Sequence, residues 1–180
     1  MNPAHILYDS ITAQDMAGEP VGLINDASFR AAADTLFSEG FGLCTSFEFD
    51  TDIEDFQQRI CDIIGACLTQ SRVDGQYYLD LIRGNYVLAD LPILGEDDVI
   101  EFSRTPTSIT EVTNSITVEW FDPEAKEDRS TAPIQTLGAI MAAGGVIHET
   151  KTYREIPTED LAIRVGQRDL QAVATPINRC

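Results

Sequence analysis

The densest set of side chains able to bind an ion or share a proton is the acidic cluster Glu48, Asp50, Asp52, Glu54 and Asp55. Asp50-Thr-Asp-Ile-Glu54 imitates the opening of a calcium loop, in which alternate oxygens converge on one cation. The pattern then fails twice. Asp55 stands where a glycine must make the sharp turn, and Cys61 stands where a bidentate glutamate must close the shell. These carboxylates therefore read as a strand end delivering negative charge to a helix N-terminus, whose dipole favours it. The two histidines, His5 and His148, have no ligand-type neighbour within one helical turn, whereas zinc needs three or four converging ligands. Cys44 and His148 could in principle form a nucleophile and base, but no activating turn or motif flanks either. Arg168-Asp169 lies inside the last predicted helix, where adjacent residues are expected to point to different faces. Asp169 falls beside the apolar stripe of Ala162, Val165 and Val173, which predicts a partly buried, paired carboxylate with a structural role. Gly166 costs that helix about 1 kcal/mol relative to alanine, which close packing against a neighbour would explain. From the residues alone, no catalytic, cofactor-binding or metal-binding position is assigned, and the expectation is a protein that is not an enzyme and uses no cofactor.

The elements that would have to position these groups belong to a chain of 180 residues, long enough for one compact domain or two small ones. Thirty Asp and Glu against twelve Lys and Arg give a net charge of −18. Such a surface repels phosphate backbones, so sequence-specific nucleic-acid binding is not expected. No apolar run approaches the ~18 residues of a membrane span, and the first residues lack a signal-peptide pattern. The chain is expected to be made in the cytoplasm, with its thiols free. Cys61 and Cys67 fall about 240° apart around a predicted helix axis and so cannot bridge within it. Cys44 stands alone, and Cys180 is the last residue.

Periodicity predicts a helix from Asp26, its cap, to Gly40, with a stripe of Phe29, Ala32, Ala33, Leu36 and Phe37. Ile6 to Ile11 fits either a helix or a strand. Leu43 to Phe49 reads as a strand. A second helix starts at a Thr51–Glu54 capping box and carries Ile53, Phe56, Ile60, Ile63, Ile64 and Cys67. Leu68 to Val73 and Gln76 to Ile82 read as a hairpin around Asp74-Gly75. Short strands are expected at Val99 to Arg104 and, by strict alternation of Ile116, Val118 and Trp120, at Ser115 to Phe121. Tyr86 to Leu88 could pair as a further strand. Asp122 to Pro133 reads as a solvated arm, Ile134 to Ala143 as a helix ended by Gly144-Gly145, and Val146 to Tyr153 as a polar edge strand. The last helix starts at Pro157-Thr-Glu159 and runs to about Ala174, before Pro176. The fold class is α+β: antiparallel hairpins and a short sheet packed with about four helices. The chain reads as a single segment over residues 1–180, with a possible subdomain boundary within 84–98.

Taken in order along the chain, several stretches resemble the tail-tip attachment, or baseplate hub, proteins of tailed phages and prophages. They include Asn2-Pro-Ala with Tyr8-Asp9, Ser28 to Asp34, Glu39-Gly-Phe-Gly42 and Gly75 to Tyr86. Leu91-Pro92, Asn114 to Trp120, Gly144-Gly-Val-Ile147, Ile156 to Arg164 and Arg168 to Pro176 follow. Gly84-Asn85 departs from the acidic pair more usual there. The resemblance implies a segment of a larger tail protein, acting in tail assembly and host attachment. It further implies a virion location after assembly in the bacterial cytoplasm, other phage tail proteins as partners, and a homotrimer in the assembled tail. The isolated chain is expected as a monomer or weak oligomer. It implies no catalytic residue. The alternatives are a cell-wall hydrolase-associated domain, which would need a carboxylate of raised pKa in a cleft, and a host-surface binding module built on exposed aromatics.

Overall fold

A computed structural model describes residues 1–47, 52–84, 86–87, 89, 91–93, 95 and 112–174. The architecture is α+β: among the described residues, five α-helices with a two-stranded and a four-stranded sheet. The expected strand at Val99 to Arg104, the capping residue Thr51 and the terminal Cys180 lie outside the described residues, as do 85, 88, 90, 94 and 96–98 within the stretch 84–98.

The ambiguous first segment is helix α1, Pro3–Thr12. Asn2 accepts from the Ala4 amide, and Pro3 opens the helix where a missing N–H costs nothing. Helix α2, Asp26–Ser38, buries Phe29, Ala32 and Leu36, while Phe37 is left exposed. Its cap is Asn25 rather than Asp26: the Asn25 side chain accepts from Ser28 N–H at 3.0 Å, and Asp26 is the first helical residue, paired outward with Arg30. Asn25 is also drawn inward, because its amide donates to the Tyr77 carbonyl and its Nδ2 to Gln76. Asn25→Ala should therefore cost about 1 kcal/mol in denaturant unfolding, against a few tenths for Asp26→Ala.

Residues 43–47 form no strand. Leu43 donates one backbone bond to Met1 and Cys44 one to Glu155, so the segment is extended but bridges two elements instead of joining a ladder. Helix α3, Ile53–Ile64, is capped by Asp52, which accepts from Glu54 N–H. It ends one residue before Gly65, at φ +62°. Cys67 consequently leaves the helical stripe and sits in strand β1, Ala66–Gln70. β1 pairs antiparallel with β2, Tyr77–Leu81, in the register Ala66↔Leu81 to Gln70↔Tyr77. The connection is six residues long, not two, because Asp74 turns its carboxylate onto Gln76 N–H and the Tyr78 hydroxyl instead of closing a tight turn.

Strand β3, Ser115–Asp122, is the centre of the second sheet. Ile116, Val118 and Trp120 are buried, as the alternation predicted, and Ser115 is buried too. The expected arm at 122–133 is in fact a hairpin: β4, Glu127–Ser130, pairs antiparallel with the far end of β3. The short β5, Ile134–Gln135, pairs with its near end, so the predicted helix begins later, as α4, Leu137–Ala143. β6, His148–Thr152, runs parallel to β3 along the opposite edge, which agrees with the edge strand expected there. Helix α5, Glu159–Val173, crosses the sheet and buries Leu161, Ala162, Val165 and Leu170. A single buried cluster joins Leu7, Phe56, Ile60 and Leu79 to Ile116, Val118 and Leu170, so the segments before and after residues 85–111 share one core.

Candidate functional site

The side chains that could do chemistry are scattered by the fold. His148 is exposed on β6 with Nδ1 3.0 Å from the Ser115 hydroxyl, and His5 is exposed on α1. Cys44 opens onto a cleft with Arg59, Phe121, Arg154 and Glu155, and His148 is not among the residues lining it. Among the described residues, no group of three His, Cys, Asp or Glu is placed to hold a metal ion. The acidic cluster lies partly outside the described residues; within them, Asp52, Glu54 and Asp55 surround the N-terminus of α3.

Cys44, Cys61 and Cys67 are free, but they differ in environment. Burial in the core, then the neighbouring Asp62 charge, pushes the Cys61 thiol up to about 12. In the native protein, a maleimide should label exposed Cys44 and Cys67 readily and Cys61 only on unfolding. Fast native labelling of Cys61, mapped by mass spectrometry, would contradict its burial.

Asp169 is the most elaborately paired buried charge. Its Oδ1 accepts from Arg168 Nε at 3.0 Å and Nη2 at 2.6 Å. Its Oδ2 accepts from the Tyr153 hydroxyl at 2.7 Å and lies 3.4 Å from Lys151 Nζ. The long Arg168 side chain folds back onto its neighbour, so the pair shares one face despite its adjacent positions. Arg168 also donates to the Ile63 and Asp62 carbonyls, each at 2.7 Å, and so caps the C-terminus of α3 where a cation is favoured.

Beside it lies a cleft of about 350 Å³ lined by Arg83, Arg164, Arg168, Glu39, Phe41 and Ile82. Arg83 grips Glu39 bidentately at 2.8 and 2.9 Å and donates to the Gly65 carbonyl. Arg164 donates to the Glu39 carbonyl at 2.6 Å and sits 5.2 Å from the Phe41 ring centre. The Arg83 bond holds the Glu39 carboxyl below its usual range. A depressed carboxylate contributes stability above its unfolded pKa and loses it as pH falls through the folded value. Glu39→Gln should therefore flatten the loss of stability between about pH 5 and 3, read by chemical denaturation. This cleft was not legible in the sequence, because its three arginines are far apart there. The one available signal was their position beside buried stripes in a chain otherwise poor in cations. In this cleft, guanidinium groups close helix ends and join the two halves; Arg83 is paired with Glu39 and Arg168 with Asp169, while Arg164 binds a backbone carbonyl.

Elsewhere on the surface, β4 and β6 flank the central strand β3 on opposite sides. All four residues of β4 are exposed, as are four of the five in β6. α4 presents Leu137 and Met141 outward, with Val146 just beyond it. Of the aromatics weighed for host binding, Trp120 is buried, Tyr77 and Tyr78 are half-buried, and Tyr86 is exposed. No helix is long and apolar enough to cross a membrane, among the described residues. No protein-family model and no curated protein matches the chain.

Proposed function

We propose that the chain is a non-catalytic structural module of a phage or prophage tail tip, acting in assembly and host attachment. One observation carries the assembly part of this reading: a central strand flanked on both sides by exposed, polar strand edges suited to backbone pairing with other chains. The tail assignment rests on the ordered sequence resemblance. On that reading its partners are other tail proteins, three copies surround the tail axis, and the acidic surface weakens association of free copies.

The test is deletion of the coding sequence from the phage or prophage that carries it. Electron microscopy of the particles released should then show heads without functional tails, with infectivity restored by supplying the intact chain. Normally tailed, infectious particles would overturn the assignment, and clearing of purified cell wall by the isolated chain would overturn the non-catalytic part.

A further inference from the structure

The outer edge of β6 is complementary to itself. Ser115 donates to the Ile147 carbonyl and Tyr153 to the Glu119 carbonyl, which turns residues 147 and 153 toward β3. By strand alternation 149 and 151 follow them, and the N–H and C=O groups of His148, Thr150 and Thr152 face outward. Among the described residues no strand pairs with that edge. An antiparallel copy of β6 centred on Thr150 would place Thr150 opposite Thr150 and His148 opposite Thr152, all as hydrogen-bonding pairs. In the same register Glu149 meets Lys151 in both directions, at the non-hydrogen-bonded positions where side chains approach closest. Their side chains lie on the face shared with Ile116 and Val118, their β3 partners. Lys151 is already oriented there by Asp169 at 3.4 Å and keeps donors free for a second carboxylate.

We infer that the free chain forms a two-fold dimer by antiparallel pairing of β6 with β6 of a second copy. β4 is a poorer edge for self-pairing. Centred on Asp128, it would set two carboxylates opposite each other, and its Arg129 is already engaged by Asp122 and Glu127. The contact is small, so the dimer is weak and reversible. The −18 charge opposes approach at long range, which about 0.1 M salt screens beyond about 10 Å. The dimer follows from the strand's own chemistry and does not rest on the tail reading, whose test is the deletion above.

Sedimentation equilibrium of the full chain at about 0.15 M salt should show a monomer–dimer equilibrium below about 1 mM. Glu149→Lys, which sets like charges opposite each other twice, should raise the dissociation constant about tenfold or more. Thr150→Pro, which removes an outward N–H at the two-fold axis, should leave a monomer with unchanged circular dichroism. Thr150→Cys should yield, under mild oxidation, a disulfide between the two introduced thiols, identified by mass mapping. A wild-type chain monomeric throughout that range, a trimer or open polymer, or a dimer untouched by Glu149→Lys would overturn the inference. So would cross-links that join the introduced thiol only to native cysteines.

Discussion

Asp169→Ala is expected to destabilise the protein by about 3 kcal/mol, the cost of breaking a buried charged set from one side. The Asp169 side chain is only 8% exposed and accepts from Arg168 and Tyr153, with Lys151 nearby. Removing it leaves a phenol and two cations without their shared acceptor, and it loosens the arginine that caps α3. The exposed Arg30–Asp26 pair, at 77% and 63%, should by contrast contribute about 0.3 kcal/mol, since water competes for both charges. Denaturant unfolding of both alanine variants separates the two cases; equal, small losses would mean that Asp169 is not desolvated. The same set carries a pH signature. Burial, and then the bond to Asp169, raises the Tyr153 phenol well above its ordinary value. An acid whose folded pKa is raised contributes stability that is intact below the unfolded value and lost as pH rises beyond it. Stability should therefore decline above about pH 10, and Tyr153→Phe should remove part of that decline.

Gly166→Leu should cost about 3 kcal/mol, despite leucine being a far better helix former. A Cβ at position 166 would lie 2.6 Å from Ile134 Cδ1 and 2.8 Å from Val118 Cγ2. The end of Ile134 can rotate away. Val118 cannot, because it is β-branched, fully buried and fixed in the central strand. Gly166→Ala should fall between, since about 1 kcal/mol of helix propensity offsets part of the clash. A stabilised alanine variant in thermal melts would show that α5 can lift from the sheet at little cost.

These two residues also mark what the sequence made legible. A glycine inside an amphipathic helix and an aspartate on its apolar stripe contradict local preference, so each announced a tertiary partner before any partner was known. Helices α2 and α5 and strand β3 were readable from one-sided apolar spacing. The polar strand β4 was not: it has no buried residue, and only its backbone pairing with β3 distinguishes it from a loop. Residues 43–47 failed in the opposite sense, with strand-like alternation but no neighbouring ladder to join. The cap expected at Asp26 falls one residue earlier, to Asn25, whose side chain can cap equally well and whose backbone has a second anchor on β2. The arginine cleft was invisible because it depends on which helix ends meet.

The way α5 closes the end of α3 sets an order on how the chain can mature as it is made. The carbonyls of Asp62 and Ile63 wait for Arg168, more than a hundred positions later. Until α5 emerges from the ribosome, the first half carries a helix with an unsealed end and a core lacking one wall. Contacts so distant along the chain slow the final collapse and leave apolar surface open meanwhile. Nascent chains stalled before residue 168 should thus be captured by chaperones, and release should come with the last helix.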